Sequence, residues 1–173
     1  MSVYGAREDL VDEKSILMPD NPYGSSKVIS ENIHKEWMCK NVNNKLIIFR
    51  PSIIFGKHEN ANMTRLIRSL KKKYFFYPGR TDTIKSCVYV KDVARAIVFG
   101  INNFDDCKFK LYNLSNPNRL TIKEIVGTIK NKLDISMYTF TVPLNIIIFF
   151  SYIITIYTRL FFNKESNFDP DRV

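Results

Sequence analysis

Apolar residues recur along this chain first at helical and then at strand spacing, and the alternation of the two sets its organisation. After an irregular opening over residues 6–22, closed by Pro19 and Pro22, the next twenty residues place Val28, Ile29, Ile33 and Trp37 at helical intervals. Asn21 suits an N-cap and Pro22, with its fixed φ, the first helical position, so a helix is predicted to about Asn41. Residues 45–50, KLIIFR, form a short apolar run that fits a buried strand of a parallel sheet; Pro51 ends it and Gly56 ends the loop beyond. Residues 62–73 predict an amphipathic helix with Met63, Leu66, Ile67 and Leu70 on one stripe, followed by an aromatic extended piece over 74–78 and a turn at Gly79-Arg80. Strands are expected over 87–90 and 109–114, with a helix over 93–101 between them. Thr121 and Glu124 have the spacing of a capping box, opening a helix with Ile122, Ile125, Val126 and Ile129 inward. Strand and helix alternating in this way predict an α/β architecture.

The end of the chain changes character. Residues 135–158 contain no charged side chain. A strand over 138–142 leaves an apolar helix of about 18 residues, near the lower limit for a membrane span, and Pro143, Asn145, Ser151 and Thr155 weigh against spanning. Three placements stay open for the segment 146–162, from Ile146 onward: docked on its own domain, lying in a membrane interface, or spanning.

Composition narrows the classes. With 173 residues and 45% hydrophobic content the chain can bury one domain's core. The formal charge of +9, with Lys71, Lys72 and Lys73 in a run, suits anionic substrates and a solvated helix end. No nucleic-acid motif accompanies it, so nucleic acid is not an expected partner. Cys39, Cys87 and Cys107 have neither metal nor disulfide spacing, and no metal is expected. They fit a reducing cytoplasm, as does an N-terminus whose early residues are polar and acidic instead of a signal peptide's apolar run.

Candidate chemistry lies in residues 21–40, NPYGSSKVISENIHKEWMCK. Tyr23 and Lys27 are four apart, hence on one helical face. An ammonium within about 4 to 6 Å of a phenol favours the phenolate and makes tyrosine a usable proton acceptor near neutral pH. Alone, the pair also describes an ordinary solvated face. Its neighbours are Val3-Tyr4-Gly5 upstream, Arg50-Pro51-Ser52-Ile53-Ile54-Phe55-Gly56 downstream, and then Val88-Tyr89-Val90-Lys91-Asp92-Val93. In that order, over residues 2–126, these pieces resemble the extended short-chain dehydrogenase/reductase superfamily, specifically its NAD-dependent epimerase/dehydratase family. Lys57 stands where the family pattern usually has proline.

The resemblance implies a UDP-hexose 4-epimerase-like enzyme acting on a nucleotide sugar, an isomerase working through internal oxidation and reduction. Tyr23 would be the catalytic base, and Lys27 its pKa-lowering partner and a ligand of the nicotinamide ribose. Tyr23, Lys27, Arg50 and Pro51 would border NAD; Asn62 and Lys85 would stand near the nucleotide diphosphate. Asp92 is read as a structural acid at a helix start. Pairing of two subunits through helices, as in relatives, is open.

Two family parts are missing. The six glycines are widely scattered and build no Gly-rich turn for a dinucleotide pyrophosphate. The family's catalytic Ser or Thr would fall one residue before Met1, and Ser2 is not assigned its role. The expected fold is therefore the C-terminal part of a Rossmann-type parallel sheet plus a smaller α/β substrate-binding region, lacking the first dinucleotide-binding half. Residues 1–60 are expected as the cofactor-fold remnant with the YxxxK helix, and 61–173 as mainly the substrate region, with one returning Rossmann strand and the C-terminal apolar helix. The reading frame is expected to begin inside a longer enzyme, and the polar end 167–173 to lead into a further segment. Two alternatives stay open: a catalytically dead remnant or membrane-associated binding protein, and a steroid-type dehydrogenase of the same superfamily.

Overall fold

The computed structural model describes residues 2–7, 9–104 and 107–162, without the side chains of 157–162. The polar end over 167–173 lies outside the described residues. In chain order the elements are α1 (Pro22–Cys39), β1 (Leu46–Pro51), β2 (Ile53–Phe55), α2 (Asn62–Lys71), β3 (Tyr77–Pro78), β4 (Cys87–Tyr89), α3 (Val90–Asn102), β5 (Phe109–Leu114), α4 (Ile122–Lys132), β6 (Thr141–Val142) and α5 (Leu144–Phe162). The fold is α/β, and all its strand pairs are parallel. Two compact units divide it: Met1–His58 with Ser86–Asn118, and Glu59–Lys85 with Arg119–Val173. The stretch that returns to the first unit thus carries β4, α3 and β5.

In the first unit β1 pairs with β5 from Leu46 against Phe109 to Pro51 against Leu114, and β2 pairs with β4 from Ile53 against Cys87 to Phe55 against Tyr89. Successive strand residues point to opposite faces. On one face of β1, Ile47 and Phe49 lie under α3, where a Cβ on Gly100 would come within 2.7 Å of the Phe49 ring. Glycine permits that close helix-to-sheet approach. On the other face Arg50 reaches α1. A sheet covered on both sides explains why KLIIFR reads as a continuous apolar run.

The second unit packs Leu70 of α2, Tyr77 of β3 and Val126 of α4 into one buried cluster, with Leu66, Phe75, Ile122 and Ile129 against it. β3 pairs with β6 from Tyr77 to Thr141. The helix stripes read from the sequence supply this core. α4 opens with the expected capping box: Thr121 Oγ1 accepts from the Glu124 amide at 3.2 Å, and the Glu124 carboxylate accepts from the Thr121 amide at 2.7 Å.

The structure departs from the sequence reading at two places, β2 and the start of α3, and adds to it at the N-terminus. Residues Ser2–Tyr4 form a 3-10 turn. The stretch after Pro51, expected as loop, forms β2, because the break at Ser52 is a single residue. α3 begins at Val90, directly off β4, earlier than expected. Among the described residues no helix is long and apolar enough to cross a membrane.

Bonds from Thr121 hold the Glu124 carboxyl below its ordinary value, the backbone amide first and the side chain next. A carboxyl depressed in the folded state stabilises fully above its unfolded value and loses that contribution as the pH falls through the folded one. Thr121→Ala is expected to cost about 1 kcal/mol near neutral pH and less in acid, measured by urea unfolding at several pH values.

Candidate active site

Helix α1 carries Tyr23 and Lys27, and its start is fixed locally. The Asn21 side chain accepts from the Gly24 amide at 2.8 Å, and Pro22 occupies the first turn. Gly24 is buried against the N-terminal turn, where a Cβ would meet the Ser2 carbonyl oxygen at 2.4 Å. The helix is not anchored by the apolar stripe that the sequence suggests. Ile29, Ile33 and Trp37 are exposed, and the buried positions of α1 are Gly24 and Glu31.

Glu31 explains how the helix is held. Its carboxylate accepts two hydrogen bonds from Arg50 of β1, Nε to Oε1 at 2.8 Å and Nη2 to Oε2 at 2.6 Å. Arg50 Nη1 donates to the Tyr4 hydroxyl at 2.6 Å, and that hydroxyl donates to Asn113 Oδ1 of β5 at 2.9 Å. Glu31, Arg50 and Tyr4 are all buried, Tyr4 to 2% exposure. The Glu31 hydrogen bond raises the Arg50 pKa above its ordinary value against the opposing effect of desolvation. A bidentate fork of this kind fixes both distance and orientation. It joins the N-terminal turn, α1, β1 and β5 through one guanidinium.

The resemblance sets Arg50 beside the cofactor, with Pro51. In the structure all three guanidinium nitrogens bond Glu31 and Tyr4, so Arg50 positions the helix, and Arg50 and Pro51 both line the cleft that Tyr23 and Lys27 border. Sequence reasoning misses Glu31 and Tyr4 as functional positions. A signal is present: Glu31 follows Lys27 by four residues and Tyr23 by eight, on the same helical face.

Tyr23 and Lys27 are both exposed, with Lys27 Nζ 5.2 Å from the Tyr23 ring centroid, within cation–π range. They stand on a cleft of about 460 Å³ that also touches Ser2, Ser30, His34 and every residue of β1. Strand residues alternate in direction, so a cleft bordered by all six must run along the strand's edge. The other edge of β1 is paired with β5. The cleft therefore follows the edge of β1 that no strand pairs among the described residues.

Asn62 and Lys85 belong to the second unit. Asn62 opens α2, whose N-terminus already holds an anion: the Glu59 carboxylate accepts from the amides of Ala61 at 2.6 Å and Thr64 at 2.8 Å. The Lys85 side chain is exposed, and its amide bonds the Leu120 carbonyl. Among the described residues no group of three His, Cys, Asp or Glu is placed to hold a metal ion.

A sequence model of the NAD dependent epimerase/dehydratase family matches residues 1–115. The chain is 27% identical over 135 residues to the N-acetyl-alpha-D-glucosaminyl-diphospho-ditrans,octacis-undecaprenol 4-epimerase of Escherichia coli O157:H7, covering 78% of this chain and 40% of that protein. It is 24% identical over 141 residues to the dTDP-4-dehydro-6-deoxyglucose reductase of Escherichia coli, covering 77% of this chain and 43% of that one. Among solved structures, the UDP-glucuronic acid 4-epimerase from Bacillus cereus in complex with NAD superposes with a TM-score of 0.73 at 20% identity, covering 82% of this chain and 47% of that one. The chain thus spans less than half the length of these relatives.

Tyr4→Phe removes the hydroxyl shared by Arg50 and Asn113 and is expected to cost about 1–3 kcal/mol in chemical denaturation, because buried polar partners lose their bond. Ile33→Asn, on the exposed stripe, is expected to change stability by no more than about 0.5 kcal/mol.

Proposed function

We propose, from the premise that this chain belongs to the NAD dependent epimerase/dehydratase family, that it carries the proton-transfer half of a sugar 4-epimerase site. The single observation behind this reading is the Tyr23–Lys27 pair, one helical turn apart on the cleft at the open edge of β1. The substrate class we propose is a hexose carried on a diphosphate, a UDP-hexose first. The Bacillus cereus structure is of a UDP-glucuronic acid 4-epimerase, and the Escherichia coli O157:H7 protein is named for a sugar diphosphate on undecaprenol.

The residues fit one end of NAD. The Lys27 ammonium and the Tyr23 phenol, side by side at the cleft, suit a ribose with its two hydroxyls. The pyrophosphate end finds no Gly-rich turn in these 173 residues. NAD, when bound, supplies a reversible hydride acceptor for the sugar C4 carbon. Tyr23, as phenolate, takes the proton of the sugar 4-hydroxyl, and Lys27 stabilises that anion through its charge and holds the ribose hydroxyls. Once the keto sugar has turned its other face, Tyr23 returns the proton to the inverted hydroxyl. Asn62 and Lys85 are proposed to meet the diphosphate. Lysine supplies charge there without arginine's fork.

Purified residues 1–173, incubated with NAD and UDP-glucose, are expected to give no measurable epimerisation; robust turnover refutes that expectation. In the longest polypeptide encoded in frame through Met1, Tyr23→Phe is expected to lower turnover about a hundredfold or more. Retained activity in that variant would remove Tyr23 from the reaction.

A further inference from the structure

Helix α5 leaves most of its bulky apolar residues uncovered. Its one buried side chain among the described residues is Ser151, at 3% exposure, whose hydroxyl donates to the Ile148 carbonyl, and the half-buried Thr155 donates in turn to the Ser151 carbonyl. Most of its bulky residues face outward: Ile146, Phe149, Phe150, Tyr152, Ile153, Ile154 and Ile156 are each exposed by 46% or more, while Ile147 and Ile148 are half-buried. A helix docked on its own core turns its apolar stripe inward and its polar residues to water. α5 covers Ile147 and Ile148 only in part, buries Ser151 and leaves its aromatic residues outward, and no charged residue interrupts residues 135–158. Contiguous apolar exposure of this kind marks a surface that meets another apolar phase.

Charge identifies that phase. The second unit holds fourteen Lys and Arg against seven Asp and Glu, so it carries +7 of the chain's +9. A basic body presenting an apolar helix complements a lipid surface with anionic headgroups. We propose that α5 docks this chain on an anionic membrane, lying in the interface with Phe149, Phe150, Ile153 and Ile154 among the acyl chains. The docking stands apart from the catalytic reading, since it requires neither NAD nor sugar.

The test is sedimentation of the 173-residue chain with phosphatidylcholine vesicles and with vesicles containing phosphatidylglycerol as well. Binding to the anionic vesicles is expected to exceed binding to the neutral ones and to weaken with added salt. F150N/I154N, placed on exposed positions, is expected to lower vesicle binding about tenfold or more with an unchanged circular dichroism spectrum. In a second measurement, with the native Trp37 replaced by Phe so that residue 150 carries the one indole, the emission of F150W shifts to the blue on anionic vesicles and is quenched by brominated acyl chains; this decides the matter if the double variant fails to fold. Absence of binding, equal binding to both vesicles, or an F150W emission unmoved by lipid overturns the proposal. So does a wild-type dimer that F150N/I154N makes monomeric while neither protein binds vesicles, for then a second copy covers α5.

Discussion

The first unit depends on one buried ion pair. Arg50 stands near the end of a strand whose faces are covered by helices, and burying its charge is tolerable only because Glu31 meets it with two short, parallel hydrogen bonds and Tyr4 takes the remaining nitrogen. Removing either charge would leave the other uncompensated in the interior. The consequence for chemistry is positional. α1 cannot slide or rotate on the sheet without breaking the fork, so Lys27 and Tyr23, one and two turns before Glu31, keep their place at the cleft.

Around this clamp the unit is asymmetric. β1 is paired on one edge and covered on both faces, while its second edge borders the cleft. Two buried polar atoms nearby, Ser52 Oγ and Asn113 Nδ2, make no hydrogen bond among the described residues. Both sit at the ends of the paired strands that the clamp joins, so the network is tight at its charged centre and incomplete at its margin. The chain spans less than half of its relatives' length.

Much of this architecture is legible in the sequence. Asn21-Pro22 announces α1, the Thr121/Glu124 spacing announces the box on α4, and β5 has the bounds expected for it, because each signal is local. What escapes depends on partners far along the chain. Glu31 looks like any helix-surface acid until Arg50, 19 residues later, is known to lie beneath it. Arg50, for its part, reads as a strand end or a cofactor contact. Ile29, Ile33 and Trp37 have the spacing of a buried stripe and are exposed, since periodicity shows that a face is apolar and not what covers it. The same limit applies to α5, whose apolar content is plain in the sequence and whose outward orientation is not.

The most direct test is a double-mutant cycle, Glu31→Gln, Arg50→Met and both together, read by native-state hydrogen exchange at the α1 amides. If the ion pair holds the helix, each single change lowers α1 protection sharply and the two are coupled by about 1–3 kcal/mol. Effects that add within about 0.5 kcal/mol, with α1 amides protected as in the wild type, would show that the helix is held by something else and that Tyr23 and Lys27 do not owe their place to this pair.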